Sequence, residues 1–217
     1  MWWMPLYRST IGKKVIMAVT GLIMVGFVVV HMLGNLQAFQ GPERINAYSA
    51  FLHSTGELLW VARTVLLAAV ILHIDAAVQL TRIAHAARPL PYAERRPQVS
   101  TLASRTMRWG GVVLVAFIVF HILHMTTGTV HPSFAAGDVY HNLVTGLRVW
   151  PVAIFHLLAM AALGLHLYHG VWSSARTLGV ARPTPHPFHR PVAVVVAVAV
   201  AVGFALIPVA VLAGWIR

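Results

Sequence analysis

Four histidines, His31, His73, His121 and His166, each lie inside a separate apolar run of the chain. An ionisable side chain in hydrocarbon is costly and marks a functional site by default. Imidazole is a common axial ligand of haem iron, and two imidazoles from facing helices fill both axial positions. Four such residues have the stoichiometry for two bis-histidine haems. The chain contains no cysteine, which excludes an iron–sulfur cluster ligated by this chain, a covalent C-x-x-C-H haem attachment and any disulfide. Haem bound here is therefore expected to be non-covalent haem b.

The elements that would hold these histidines follow from composition. The chain has 217 residues, 59% of them hydrophobic and only 10% charged, with a mean hydropathy of +0.76. That is far too apolar for a soluble domain of this size. With about 20 apolar residues needed to cross a bilayer, five spans are predicted, near 14–38, 58–84, 108–130, 150–175 and 191–216. The expected fold is an all-α membrane protein of five transmembrane helices, with residues 1–217 forming one integral membrane domain and four of the helices forming a dihaem-binding bundle. The first span carries His31 and Asn35 and lacks a small-residue cleavage site, so it reads as a membrane helix and not as a signal peptide.

A formal charge of +11 might point to nucleic acid, but the basic residues fall between apolar runs and are not interleaved with aromatics. Topology accounts for them better. Of the sixteen Lys and Arg, twelve fall on the N-terminal side of the predicted spans: Arg8, Lys13, Lys14, Arg82, Arg88, Arg95, Arg96, Arg105, Arg108, Arg176, Arg182 and Arg190. Arg44, Arg63, Arg148 and Arg217 fall on the other. The positive-inside rule then places the N-terminus in the cytoplasm and the C-terminus outside. The proline-rich basic segment from Arg88 to Pro97 should form a cytoplasmic surface loop. Glu43 to His53 reads as a short interfacial helix with Ile45, Tyr48, Phe51 and Leu52 on one side, a lid over the outer end.

Depth pairs the histidines. At 1.5 Å per residue, His73 lies roughly 14 Å from Arg82 and His166 roughly 15 Å from Arg176. His121 lies roughly 20 Å beyond Arg108, and His31 roughly 26 Å beyond Lys14, both toward the outer face. His73 with His166 would hold an inner haem and His31 with His121 an outer one. Spacing does not choose within the doublets His121/His124 and His166/His169, because residues at i and i+3 lie about 60° apart on a helix. His53, His85, His131, His141, His186 and His189 fall in loops or at edges and read as surface residues.

The chain resembles the cytochrome b558 subunit family of succinate dehydrogenases. The likeness is carried by Ile11-Gly12-Lys13-Lys14, Thr20-Gly21-Leu22, His31-Met32-Leu33-Gly34-Asn35-Leu36, Ser104-Arg105-Thr106-Met107-Arg108, Phe120-His121-Ile122-Leu123-His124 and His166-Leu167-Tyr168-His169-Gly170-Val171-Trp172. These motifs occur in order along nearly the whole chain. The resemblance implies a five-helix dihaem anchor of a succinate:quinone oxidoreductase, in respiratory complex II and the tricarboxylic acid cycle. Such an anchor takes electrons from an iron–sulfur subunit, itself fed by a flavoprotein subunit, and passes them to quinone, with menaquinone expected. It favours His31, His73, His121 and His166 as iron ligands; in the family's last ligand motif a histidine precedes Gly by four positions and Trp by six, which His166, Gly170 and Trp172 satisfy and His169 does not. A prokaryotic plasma membrane and a larger assembly of the complex are implied with it.

Other side chains acquire expected roles within that scheme. Arg108 and Arg176, at the cytoplasmic ends of spans three and four, are candidate partners of inner-haem propionates. Glu57 opens span two on the outer side, where quinone chemistry would need proton exchange, and Tyr48 and His53 could complete a quinone site. Asp75 points roughly 200° away from His73 on the same helix, which suits packing or a proton pathway. Two other classes fit part of the pattern. One is a cytochrome b subunit of a formate dehydrogenase or hydrogenase type. The other is a histidine-rich membrane metal transporter, since imidazole also suits zinc and copper.

Overall fold

The computed structural model describes residues 7–88, 100–180 and 190–217. The loop residues Arg95 and Arg96, Glu94, Arg182, His186 and His189 lie outside the described residues. The chain forms an all-α membrane protein with five helices long and apolar enough to cross a bilayer. These are α1 (Thr10–Asn35), α3 (Glu57–Ala86), α4 (Leu102–His121, prolonged by a π-helical turn over Ile122–Thr126), α6 (Trp150–Thr177) and α7 (Pro191–Leu212). Two shorter helices, α2 (Pro42–Ser54) and α5 (Val139–Arg148), cover one end of the bundle. That is called the capped end below; the end holding the first turn of α1 is called the basic end.

Local chemistry sets the boundaries. Ser9 Oγ accepts from Gly12 N at 2.9 Å and starts α1. At α4, Thr101 and Ser104 cap each other reciprocally, through Ser104 N to Thr101 Oγ1 at 3.2 Å and Thr101 N to Ser104 Oγ at 3.0 Å. Proline in the first turn of α2, α6 and α7 has no intrahelical bond to lose there. Gly41 and Gly56 take φ of +96° and +55°, turning the chain into and out of α2 where a side chain would be strained.

α1 and α6 form the centre. α3 packs extensively on α1 alone, α4 on α6, and α7 lies against α6 and α1. Small residues allow the tight α6–α7 approach: Ala193, Ala197 and Val200 are buried along α7, and Gly164 faces Ala201, while Gly203 makes room for Met32 of α1. Met32 and Leu167 complete that layer with Ala197 and Val200. The diagonals α1–α4 and α3–α6 have no comparable packing, and the histidine pairs lie on these diagonals.

The predicted lid is present over Pro42–Ser54, with Ile45 buried, but Phe51 is 61% exposed and lies off the packed side. α5 lies between the third and fourth predicted spans and is too short to cross a bilayer. Its apolar face, Leu143, Val144 and Leu147, packs with Ile45, Ala38, Ile207 and Val211 in a second core at the capped end. Asp138 caps α5 by accepting from His141 N at 2.9 Å, and also accepts from Asn46 Nδ2 at 3.0 Å, which ties α5 to α2.

The His141 N–H, and then the Asn46 amide, hold the Asp138 carboxyl below the usual carboxylate range. A lowered folded-state pKa contributes stability that is in place above the ordinary value of about 3.9 and is lost as pH falls through the lowered one. Amide protection factors in α5, taken relative to intrinsic exchange at each pH, should therefore fall on acidification below about pH 4. Asp138→Ala should give about a fivefold acceleration at neutral pH, as for a cap contributing about 1 kcal/mol. Equal exchange in wild type and variant at neutral pH would remove this role from Asp138.

Candidate functional site

The bundle brings the four singled-out histidines together in two pairs. His73 on α3 and His166 on α6 have ring centroids 6.2 Å apart, and His31 on α1 and His121 on α4 have theirs 6.0 Å apart. Among the described residues neither pair is joined by a direct hydrogen bond. Two metal–imidazole bonds of about 2.0–2.1 Å, with about 1.1 Å from each nitrogen to its ring centre, put the centroids about 6.3 Å apart. Both pairs are therefore spaced as two imidazoles on one metal centre would be. His121 Nδ1 and His166 Nδ1 are buried and have no partner among the described residues.

His73 shows the support expected of an iron ligand. Its Nδ1 lies 3.1 Å from the Met17 carbonyl and 3.2 Å from Thr20 Oγ1. With the proton on Nδ1, donated to that carbonyl, Nε2 keeps the lone pair that a metal requires. The hydroxyl of Thr20 is itself fixed by donating to the Ile16 carbonyl at 2.7 Å. A Cβ on Gly21 would lie 3.3 Å from His73 Cε1, so this glycine lets α1 pass close to the ring. On the other pair, His31 stacks on Phe27 at 5.2 Å, and Asn35 Nδ2 donates to the His31 carbonyl at 2.8 Å while standing beside the ring.

The geometry separates the doublets. His121 faces His31, whereas His124 lies beyond the start of the π-helical turn and sits against His131, with centroids 4.6 Å apart. His166 faces His73, while His169 lies one turn closer to the basic end. His131 is buried and differs from the surface residue its loop position suggested. Its Nε2 donates to the Asn142 carbonyl at 2.9 Å, and its Nδ1 accepts from Ser133 N at 3.1 Å.

His156 on α6 has no place in the sequence reading, although an imidazole in the apolar run Ile154-Phe155-His156-Leu157-Leu158 is the same signal that marked the other four. It is buried, its centroid is 6.0 Å from that of His121, its Nδ1 donates to the Val152 carbonyl at 2.8 Å, and its Nε2 has no partner among the described residues. His121 is thus flanked equally by His31 and His156. A further fully buried imidazole, His124, has neither nitrogen bonded among the described residues.

The remaining candidates are more dispersed. Arg108 is exposed and donates to His85 Nε2 at 2.7 Å, and Arg176 is exposed at the end of α6. Tyr48 packs against Gly34 and lines a cleft of about 250 Å³ with Gln37, Arg44, Ala47 and Phe51. His53 and Glu57 are exposed and do not line that cleft; His53 Nδ1 donates to the Ser49 carbonyl at 2.8 Å. Asp75 accepts from Gln79 Nε2 at 2.6 Å and from Tyr7 Oη at 3.2 Å. Among the described residues no group of three or more His, Cys, Asp or Glu is placed to hold a bare metal ion.

No family model, curated protein or solved structure matches the chain.

Close approach at the capped end makes one substitution diagnostic. A Cβ on Gly146 would lie 2.5 Å from His124 Cε1 and 2.9 Å from His131 Nε2, and His131 is held by two hydrogen bonds. Gly146→Ala should lower stability by about 1–3 kcal/mol through overpacking, read as a lower unfolding temperature in detergent. An unchanged midpoint would mean that α5 and the two rings separate freely.

Proposed function

We propose that this chain is the dihaem cytochrome b membrane anchor of a succinate:quinone oxidoreductase. The observation that carries the reading is the pair of imidazole pairs set across the two diagonals of the bundle at 6.2 and 6.0 Å, with no hydrogen bond between their rings. Haem iron, alternating between two oxidation states, supplies one-electron transfer when bound. In this assignment His73 and His166 hold one haem b nearer the basic end, and His31 and His121 hold the other nearer the capped end. The residues that carry the family likeness include three of the four ligands, His31, His121 and His166.

The chain's own contribution is binding, orientation and exclusion of water. The Met17 carbonyl and Thr20 fix the His73 tautomer, and Phe27, Phe204 and Phe117 pack round His31 and His121. With two imidazoles available to each iron, the chain would leave no coordination position open to exogenous ligands. The flavoprotein and iron–sulfur subunits would dock at the basic end, which this reading places in the cytoplasm of a prokaryote. Quinone, menaquinone in this assignment, would react nearer the capped end, where Tyr48 lines its cleft and Glu57 begins α3. A cytochrome b of the formate dehydrogenase or hydrogenase type would share the ligand set and differ in the subunits that copurify.

The assignment is tested by haem extraction and visible spectroscopy of the purified protein. Two haems b per chain are expected, with no large spectral change on adding carbon monoxide. His73→Ala and His166→Ala should lose one spectral component, and His31→Ala and His121→Ala the other, while His124→Ala and His169→Ala keep both. Absence of haem from the wild type would contradict the reading. Loss of the second component in His156→Ala but not in His31→Ala would move that ligand from α1 to α6.

Glu57→Gln preserves size while removing the titratable group. It should slow quinone-linked turnover and leave both haems, and succinate oxidation with an artificial acceptor, unchanged. Undiminished quinone-linked turnover would reduce Glu57 to a favourable charge at the start of α3.

A further inference from the structure

At the basic end of the α6–α7 groove a cation is buried with no anion paired to it among the described residues. Arg190, the residue preceding α7, is only 6% exposed. Its guanidinium lies 5.1 Å from the Trp172 ring and 5.6 Å from the Tyr168 ring. Two aromatic faces offset part of the cost of removing this charge from water, but they do not supply hydrogen-bond acceptors for its in-plane N–H groups. Arg190 Nε, Trp172 Nε1 and His169 Nδ1 are all buried and lack a hydrogen-bond partner among the described residues. Arg190 is also within electrostatic reach of His169.

Two unpaired buried donors, the Arg190 and Trp172 N–H groups, beside an unpaired imidazole nitrogen of His169 call for an acceptor, and each left unmet would cost about 1–3 kcal/mol or more. The chain has only five acidic residues. Glu43, Glu57 and Asp138 are at the capped end, Asp75 is engaged by Gln79 and Tyr7, and Glu94 lies outside the described residues. His166, His169 and Trp172 follow one another at i, i+3 and i+6, each step turning about 60° round the helix and rising roughly 4.5 Å toward the basic end. This row leads from an assigned iron ligand to Arg190.

We propose that Arg190, Trp172 and His169 form an oxyanion-binding site, occupied by a carboxylate of the porphyrin held between His73 and His166. The identity of the occupant rests on the haem assignment above. A membrane phospholipid phosphate is the other source of the same chemistry. A charge-assisted bond from the guanidinium, with the indole and imidazole N–H groups as neutral donors, suits either. Arg108 and Arg176, the other candidates for that role, are both exposed.

Arg190→Gln, Arg190→Lys and Trp172→Phe, made in the full chain within its complex, would be compared for haem content, for the midpoint potential of each spectral component and for tightly bound lipid phosphorus. Removing a positive charge beside the carboxylate disfavours the reduced, more negative state. Arg190→Gln should thus lower the reduction equilibrium of the component lost in His166→Ala by about tenfold, which is about 59 mV for a one-electron couple. The other component should not move. Arg190→Lys should shift it less, and Trp172→Phe should shift it in the same direction; these two carry the test if Arg190→Gln does not assemble. Unmoved potentials with unchanged lipid phosphorus would overturn the site. Unmoved potentials with loss of bound phosphorus would keep the oxyanion site and assign it to lipid. If the wild type holds no haem, the haem assignment fails by itself, and the phosphorus measurement alone decides whether the oxyanion site stands.

Discussion

An imidazole surrounded by hydrocarbon has to be bonded to something, and this requirement organises the bundle. Water is scarce at that depth, so each ring nitrogen must meet a backbone group, another side chain or a metal. His73 meets the requirement at one nitrogen through the Met17 carbonyl, and the second nitrogen remains available. His121 and His166 have a buried nitrogen without a partner among the described residues. The helices are placed accordingly. α1 and α6 are in direct contact, α3 and α4 flank them, and the diagonals along which the rings approach lack the small-residue packing of the α6–α7 interface.

The two ends of the molecule use different chemistry. The capped end is held by an apolar core beneath α2 and α5 and by polar ties such as Asp138 with Asn46 and His131 with Asn142. At the basic end, the Lys13 ammonium is buried against the carbonyls of Tyr7 and Arg8 at 3.2 and 2.8 Å, and Arg190 lies between aromatic rings.

The five spans and the two histidine pairs were legible in the sequence because each depends on a one-dimensional quantity: the length of an apolar run, or the number of residues from a charged helix end. The doublets were not legible. The turn after His121 is π-helical, which changes the direction of His124 relative to a regular helix, and residue spacing carries no trace of that. α5 escaped because ten residues of ordinary amphipathic pattern between polar turns do not resemble a span. His156 carried the right signal and went unread, since its run already contained His166. Arg190 read as a topology charge: its burial depends on Tyr168 and Trp172 arriving from another helix, a contact that no local pattern encodes.

The central claim is that two iron centres are each ligated by two imidazoles across the diagonals of one bundle. Electron paramagnetic resonance of the oxidised, purified protein tests this most directly, because spin state reports axial ligation. The account predicts two ferric signals, both low-spin, with one removed by His73→Ala and the other retained. A high-spin ferric signal in the intact wild type, or no ferric haem signal at all, would contradict it.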